Sequence, residues 1–339
     1  MSKAFVSGCA GPNLTNDEIM FFRDEQPWGL ILFGRNIETP DQVASLTAAF
    51  RQAVGRDDAP VLIDQEGGRV QRLKPPHWRR YPAPKLFGDL YDRDRDAGLR
   101  AAFLGARLIA EDLRKVGITI DCFPCLDVRF PDTVDAIGDR ALSSDPEIVA
   151  VLGRAMVNGA LAGGVLPVIK HIPGHGRAVV DSHLELPRVA AERSSLESVD
   201  FRPFKALSDV SLGMTAHIVY AGIDAETAGT QSARVVGEVI RGDIGFDGCL
   251  MSDDISMKAL GGDFGDRSRK IISAGCDIVL HCNGDMDEMR AVANVVPELT
   301  GKAKDRCDKA LSGRRHPDAG FDEQAAWEEF RGLTGWQGV

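Results

Sequence analysis

The sequence predicts a single (β/α)₈ TIM barrel. Short apolar runs alternate with longer amphipathic runs along the 339-residue chain, which is typical of repeated strand–helix units and a parallel sheet. The apolar runs number eight, and eight parallel strands can close into a barrel that leaves no sheet edge. No internal repeat or Pro/Ser-rich linker interrupts the pattern, so we expect residues 1–339 to form one domain.

The eight predicted strands are short apolar runs bounded by polar residues or glycine. In chain order they are AFVSGC from residue 4, GLILF from 29, VLID from 61, ITIDCF from 118, PVIKHI from 167, LGMTAHI from 212, CLMSD from 249 and DIVLHC from 277.

The clearest predicted helix covers residues 40–54, where apolar residues recur at helical spacing. Thr39 can cap this helix and Gly55 can end it. Three further helices are predicted at 97–116, 144–164 and 232–241. The C-terminal segment, which contains Trp327, Phe330 and Trp336, is predicted to form a helix and tail on the barrel exterior.

Composition excludes several classes of protein. Apolar residues make up 44% and charged residues 27%, which is ordinary for a globular protein, and the net charge of -10 disfavours binding to nucleic acid or to anionic membranes. The N-terminus lacks the apolar core of a signal peptide, and no apolar run is long enough to span a bilayer. We therefore expect neither a nucleic acid nor a membrane partner.

Seven scattered cysteines do not suggest a disulfide framework, and a reducing cytoplasm fits this pattern best. Cys122 and Cys125 form a CxxC pair, but the pair ends an apolar run, whereas a redox pair opens a helix. No second pair follows at ligand spacing, so neither a redox centre nor a zinc site is predicted there.

Polar side chains cluster at the ends of the predicted strands. They are Asp64–Glu66, Lys170–His171, His217 and Asp253–Asp254. Active sites of barrels lie at the C-terminal ends of the strands, and so many charged or imidazole groups would be costly to bury without a shared ligand or mutual pairing. The pattern predicts a functional site at this end.

The segment after the fifth predicted strand, residues 172–188, is a long glycine-bearing loop, which in a compact domain usually serves function. Asp181 lies two residues before His183, and a carboxylate so placed can orient an imidazole that transfers protons. Two alternatives remain open from these residues alone. The pair can be ordinary polar loop residues, or His171, His175 and His183 can bind a metal.

Two other motifs carry candidate chemistry. In LMSDD, residues 250–254, one of two adjacent carboxylates can attack an anomeric carbon, although Asp254 can also be a helix cap. DQEGGRVQR, residues 64–72, combines acids and arginines that suit hydrogen bonding to sugar hydroxyls, or else forms a surface salt-bridge turn. It matches neither phosphate-loop pattern.

Taken together, these stretches resemble the glycoside hydrolase family 3 β-N-acetylglucosaminidases, in particular the single-domain enzymes of bacterial peptidoglycan recycling. The resemblance covers residues 28–282. It rests on GLILFGRN from 29, LIDQEGGRVQRL from 62, IGDRALSSDP from 137, KHIPGHG from 170 followed by DSH, and MSDDISM from 251. Ile172 and Cys125 depart from the residues that are usual in the family, and neither is at a presumed catalytic position.

The resemblance implies that Asp253 is the nucleophile, that His183 is the acid/base and that Asp181 completes a dyad with His183. It also implies five sugar-binding residues, namely Asp64, Arg72, Arg140, Lys170 and His171. Family-3 β-glucosidases commonly take a catalytic acid from an additional domain that this chain lacks, which favours the N-acetylglucosaminidase branch.

The implied activity is retaining hydrolysis of terminal β-linked N-acetylglucosamine from GlcNAc-1,6-anhydroMurNAc muropeptides. We expect a cytoplasmic monomer with no cofactor and no metal. Two alternatives are kept. One is a metal-dependent barrel hydrolase that uses His171, His175, His183 and Asp253, and the other is a barrel that binds muropeptides without cleaving them.

Overall fold

The computed structural model of the protein describes residues 2–317 and 320–338. Eight parallel strands close into a barrel in which each strand pairs with its neighbours in the chain and the last pairs with the first. They are β1 (Lys3–Ser7), β2 (Pro27–Leu32), β3 (Val61–Ile63), β4 (Ile120–Asp121), β5 (Leu166–Ile172), β6 (Leu212–Thr215), β7 (Cys249–Asp254) and β8 (Ile278–His281). Each overlaps one predicted strand, so the predicted TIM barrel is confirmed.

Helices surround the barrel. They are α1 (Asn16–Glu25), α2 (Pro40–Val54), α3 (Lys85–Tyr91), α4 (Arg95–Lys115), α5 (Pro146–Ala162), α6 (Arg193–Ser195), α7 (Phe201–Ala206), α8 (Phe264–Ala274), α9 (Met286–Ala293), α10 (Gly301–Ser312) and α11 (Glu323–Thr334). Side chains such as Phe5 and Leu62 on the strands and Phe50 on α2 are fully buried in the core that joins the two layers.

The predicted helix boundaries agree closely with α2, α4 and α5. Thr39 caps α2 by accepting a hydrogen bond from the Gln42 amide, and Gly55 ends it at a φ of 63°, a left-handed conformation that favours glycine. The helix predicted at 232–241 forms π-helical turns over Val235–Asp243. The spacing of its apolar residues does not distinguish this wider turn from an α-helix.

Two small pairings lie outside the barrel and were not predicted. Residues 64–72, a candidate surface turn, contain an antiparallel hairpin of Gln65–Gly67 with Val70–Gln71. Downstream, Arg188–Val189 pairs with Val219–Tyr220, which closes the long loop after β5.

The predicted C-terminal helix is α11, which packs on α4 with Trp327 and Phe330 stacked at 5.6 Å between ring centroids. The expected domain range of 1–339 stays a prediction, and it includes residues 1, 318, 319 and 339, which lie outside the described residues. All seven cysteines are buried, and none of them forms a disulfide bond. None of the helices in the described ranges is both long and apolar enough to cross a membrane.

We predict that Phe50→Ala lowers the free energy of unfolding by about 3–5 kcal/mol, because it leaves a cavity in the core between α1 and α2. The ring of Phe50 is fully buried and lies edge-on to Phe22 at 5.3 Å. Gln52→Ala, an exposed change on the same helix, should alter stability by less than about 0.5 kcal/mol. Denaturant titration measures both changes. A loss below about 1 kcal/mol for Phe50→Ala would contradict tight packing of Phe50 in the core.

Candidate active site

A pocket of about 260 Å³ opens at the C-terminal end of the barrel. All eight side chains that the sequence singled out for catalysis or sugar binding line it. They are Asp64, Arg72, Arg140, Lys170, His171, Asp181, His183 and Asp253. Phe33, Met214, Asp254 and Met257 complete much of the remaining wall. The closed barrel brings the eight predicted residues together from positions that are up to 189 residues apart in the chain.

Irregular pairing in two strands turns adjacent side chains toward the pocket. The register of β5 against β6 shifts between Ile169 and Ile172, and that of β7 against β8 shifts between Met251 and Asp254. Consecutive residues of a regular strand point to opposite faces, and a bulge relaxes this alternation. Lys170 with His171 on β5, and Asp253 with Asp254 on β7, therefore both line the pocket.

A buried ion network forms one side of the pocket. The Nζ of Lys170 lies 2.8 Å from Oδ1 of Asp64 and 2.7 Å from Oε1 of Glu66. Arg140 donates two parallel hydrogen bonds to Glu66, at 2.7 and 2.9 Å, and Arg72 contacts the second oxygen of Asp64 at 3.3 Å. Each of the two carboxylates thus has two cationic partners, and the contact of Glu66 with Arg140 is bidentate. Charged groups can be buried when they are paired in this way.

The network keeps its members charged. Burial alone would raise the pKa of Asp64, but Lys170 and Arg72 hold it well below its ordinary value. Burial likewise opposes ionisation of Glu66, yet Arg140 and Lys170 lower its pKa to about 2. Burial would lower the pKa of Lys170, and the two carboxylates raise it instead. At neutral pH the pocket therefore presents fixed charges of both signs to a polar ligand.

Asp127 positions two histidines, His171 in the pocket wall and the adjacent His175. Its Oδ2 accepts a hydrogen bond of 2.7 Å from Nδ1 of His171, and its Oδ1 accepts one of 2.6 Å from the His175 amide. The bond at Nδ1 leaves Nε2 of His171 available to a ligand. Burial and the neighbouring His171 lower the pKa of His175 to about 4, so His175 is neutral at neutral pH.

Asp253 lies at the end of β7 with its carboxylate poised as a free anion. Burial tends to raise its pKa, but His171, His217 and the hydrogen bond from the Asp254 amide together lower it below its ordinary value. Within the described part of the chain, the Asp254 amide is the group that donates a hydrogen bond to the Asp253 side chain, at 2.8 Å. Asp254 does not cap the next helix, α8. Its carboxylate instead accepts hydrogen bonds from the backbone amide and the hydroxyl group of Ser256.

The dyad predicted on the long loop is formed. Nδ1 of His183 lies 2.7 Å from Oδ1 of Asp181, and the same oxygen accepts the His183 amide at 2.9 Å. The imidazole is 66% exposed, whereas the intervening Ser182 is buried, with Oγ 3.3 Å from Nε2 of His175. The loop thus presents an oriented, solvent-accessible imidazole at the pocket mouth.

The ligands of the alternative metal site do not form one cluster. Across residues 2–317 and 320–338, the set of three potential ligands that lie together is Cys125, Asp127 and His171, whose ligand atoms are within 4.8 Å of one another. His175 and His183 are not part of it. Cys125 and His171 both already hydrogen-bond to Oδ2 of Asp127, at 3.1 and 2.7 Å.

Sequence reasoning missed Asp127 as a site residue and placed Glu66 only among the polar residues at strand ends. Asp127 directly follows the CFPCL run, as other site residues follow their strands, so its position was a usable signal. The pairing of Glu66 with Arg140 joins residues 74 apart in the chain and had no local signal.

Comparison with known proteins assigns the chain to a family. Residues 13–312 match the glycosyl hydrolase family 3 N terminal domain. A beta-hexosaminidase of Alkalilimnicola ehrlichii is 37% identical over 98% of this chain and 93% of its own length. One of Bordetella avium is also 37% identical, over 81% of this chain and 79% of its own length.

Crystal structures of NagZ from Neisseria gonorrhoeae, one with zinc ion and one with N-trifluoroacetyl-D-glucosamine, are similar to this fold. Each superimposes with a TM-score of 0.87, at 29% and 30% identity, over 98% of this chain and 98% of the other. The chain therefore belongs to glycosyl hydrolase family 3, as a glycoside hydrolase of the β-N-acetylhexosaminidase class.

Proposed function

We propose that the protein releases terminal β-linked N-acetylglucosamine with retention of configuration, through a glycosyl-enzyme on Asp253. Retaining hydrolysis needs a carboxylate that attacks the anomeric carbon and a second group that protonates the leaving oxygen and then activates water. The observation that carries the proposal is that Asp253, Asp181 and His183 line the same pocket.

Asp253 suits the role of nucleophile. Its lowered pKa keeps it ionised at neutral pH, and its partial burial limits the water that would otherwise compete with a sugar. Unlike Asp64, it has no cation at salt-bridge distance in the described ranges. A carboxylate oxygen of Asp253 is therefore free to attack the anomeric carbon. Formation of the glycosyl-enzyme breaks the glycosidic bond and places the anomeric carbon on a carboxylate oxygen.

The ion network suits the recognition of sugar hydroxyls. Asp64 is held as an anion between Lys170 and Arg72 and can accept hydrogen bonds from hydroxyl groups. Lys170, Arg140 and Arg72 can act as donors to hydroxyl or amide oxygens, and Nε2 of His171 can accept a hydrogen bond from a hydroxyl group. Because these groups hold one another in place, the sugar would meet a site that needs little reorganisation.

His183 and Asp181 suit proton transfer. The hydrogen bond to Asp181 places the proton of the neutral ring on Nδ1 and leaves Nε2 to exchange a proton with the substrate. A ring protonated at Nε2 would donate to the leaving oxygen, and the neutral ring would then take a proton from the attacking water. A histidine titrates nearer neutral pH than an ordinary carboxyl group, so it can serve in both steps.

The loop after β5 packs tightly at its base and is exposed at its tip. A side chain at Gly176 would lie 1.8 Å from the Val128 carbonyl oxygen, so the base packs tightly on the neighbouring segment. Nearer the tip, Val179 and Leu184 are 62% and 67% exposed. We expect the tip to close over the sugar after binding.

For the substrate we propose GlcNAc-1,6-anhydroMurNAc muropeptides of cell-wall recycling, cleaved by a cytoplasmic monomer. The support is the resemblance in the five motifs, the similarity to NagZ, and the solved NagZ complex with N-trifluoroacetyl-D-glucosamine.

We predict that nitrophenyl β-N-acetylglucosaminide is hydrolysed with a kcat/KM at least about 100-fold above that of the matching β-glucoside, because polar groups of the pocket would be left unpaired by the missing acetamido group. Release of nitrophenol measures both rates. Comparable rates would contradict the N-acetylglucosamine specificity, and binding of N-acetylglucosamine without any turnover would favour the non-cleaving alternative.

The same assay after dialysis against chelator distinguishes the proposed mechanism from the metal-dependent alternative. Unchanged activity is expected, and a loss that zinc restores would favour that alternative.

We predict that Asp253→Ala lowers kcat by at least about 10³-fold while the protein remains folded, because the glycosyl-enzyme cannot form. Asp57→Ala, the same change at an exposed position outside the pocket, should keep its activity. A fluorinated substrate analogue should label Asp253 in the unmodified protein. More than a tenth of the original activity in Asp253→Ala would refute the assignment.

We predict that His183→Ala slows the first step strongly for substrates with poor leaving groups and little for activated aryl glycosides, because a good leaving group needs little protonation. The loss for poor leaving groups should be about 10²–10⁴-fold. Deglycosylation should slow for all substrates. Asp181→Asn should give a weaker form of the same leaving-group dependence, because the imidazole of His183 is still present but has lost its orienting carboxylate.

Single-turnover rates across a series of leaving groups measure this pattern, with exposed His77→Ala as the matched control. Equal losses across the series would assign His183 a role in binding or loop shape, and the proton donor would then be sought at Glu66 or Asp254.

A further inference from the structure

A second cavity, of about 660 Å³, lies next to the active-site pocket. We call it the arginine groove. It is lined by Gly68, Arg69, Arg80, Tyr81, Pro82, Ala83, Lys85, Leu86, Asp89, Arg93, Asp139, Thr334 and Trp336. None of the predicted site residues lines it, and the proposed chemistry leaves it unused.

The groove and the pocket share one wall. On the hairpin, Gly68 and Arg69 line the groove while Val70 lines the pocket. In the turn Gly138–Arg140, Asp139 lines the groove while Arg140 lines the pocket. A contact of 3.5 Å between Arg69 and Asp139 joins the two parts of the wall. A ligand that extends from the pocket over this wall therefore enters the groove.

The charge of the groove is opposite to that of the molecule. Four basic and two acidic side chains line it, on a chain with a net charge of -10. Lys85 is paired with Asp89 at 2.6 Å and Arg69 with Asp139. Arg80 and Arg93 are exposed, and neither guanidinium has a carboxylate partner among the described residues; Arg93 contacts only the backbone oxygen of Asp89. These two arginines are the uncompensated charges.

Below the arginines the groove has an apolar floor. Tyr81 and Pro82 are buried, and Leu86 and Trp336 are half-buried. The indole N–H of Trp336 donates to the backbone oxygen of Arg80 at 2.8 Å, which holds the C-terminal tail against the groove. An apolar floor with an uncompensated basic rim suits a short peptide that carries carboxylates and aliphatic atoms.

We propose that the arginine groove binds the acidic peptide attached to the aglycone sugar of a muropeptide, with Arg80 and Arg93 as its carboxylate contacts. The proposal rests on the proposed function, because the aglycone leaves from the mouth of the same pocket. Length is compatible: a tripeptide spans about 10 Å, whereas the two strands of the hairpin wall lie about 5 Å apart.

The experiment compares kcat/KM for GlcNAc-1,6-anhydroMurNAc with and without its stem tripeptide. In the unmodified protein the peptide should raise kcat/KM, and raised salt should reduce this advantage by screening. In Arg80→Ala/Arg93→Ala the ratio of the two values should fall by about 3–10-fold, as expected for two solvent-accessible ion pairs. Arg80→Glu/Arg93→Glu should reverse the preference.

The matched control is Arg234→Ala/Arg269→Ala, which removes the same charge from exposed helical positions outside the groove and should leave the ratio unchanged. An equal ratio in the unmodified protein and in both groove variants would overturn the proposal, as would an equal fall in the control.

Failure of the proposed function has a different signature. If the unmodified protein cleaves neither disaccharide, that function fails, and calorimetry with the anhydro-N-acetylmuramoyl tripeptide decides the groove by itself. Binding that weakens in Arg80→Ala/Arg93→Ala supports the groove. Absent binding, or binding equal in both proteins, overturns it.

Discussion

The burial of charge at the mouth of the barrel is the constraint on which the site depends. Lys170 on β5 holds Asp64 and Glu66, and Glu66 holds Arg140. Removing one partner of such a pair leaves a buried charge unpaired, at a cost of about 3–5 kcal/mol. The hairpin after β3, the end of β5 and the turn at 138–140 are therefore fixed together, and this wall of the pocket is rigid before any ligand arrives.

The two groups proposed for catalysis are held in different ways. Asp253 belongs to a barrel strand and is partly buried, which suits a group that must meet one carbon atom at a fixed position. His183 lies on a loop and is largely exposed, which suits a group that must exchange protons with both leaving group and water. Ser182, buried beside His175, links this loop to the two histidines that Asp127 holds.

The same wall that fixes the sugar site also shapes the surface beyond it. Arg69 and Arg140 are on opposite sides of that wall, one facing the arginine groove and the other facing the pocket. Rigid support for a small pocket thereby creates a second concave surface at its rim, where a larger substrate would extend. Under the proposed function, one set of backbone segments would thus govern both sugar recognition and the fit of a larger substrate.

The sequence by itself predicted the eight strands and the helices α2, α4 and α5, because hydrophobic periodicity is local. Polar residues at strand ends stand out against this periodicity and indicated Asp64, Lys170, His171 and Asp253. The long loop indicated Asp181 and His183, whereas Arg72 and Arg140 were expected only from the family resemblance. The sequence did not determine the hairpin at 65–71, the π-helical turns at 235–243 or the role of Asp127. Only the tertiary structure decided these, and also the pairing of Glu66 with Arg140. Each depends on backbone register or on contacts between distant segments, and closure of the barrel alone brings those segments together.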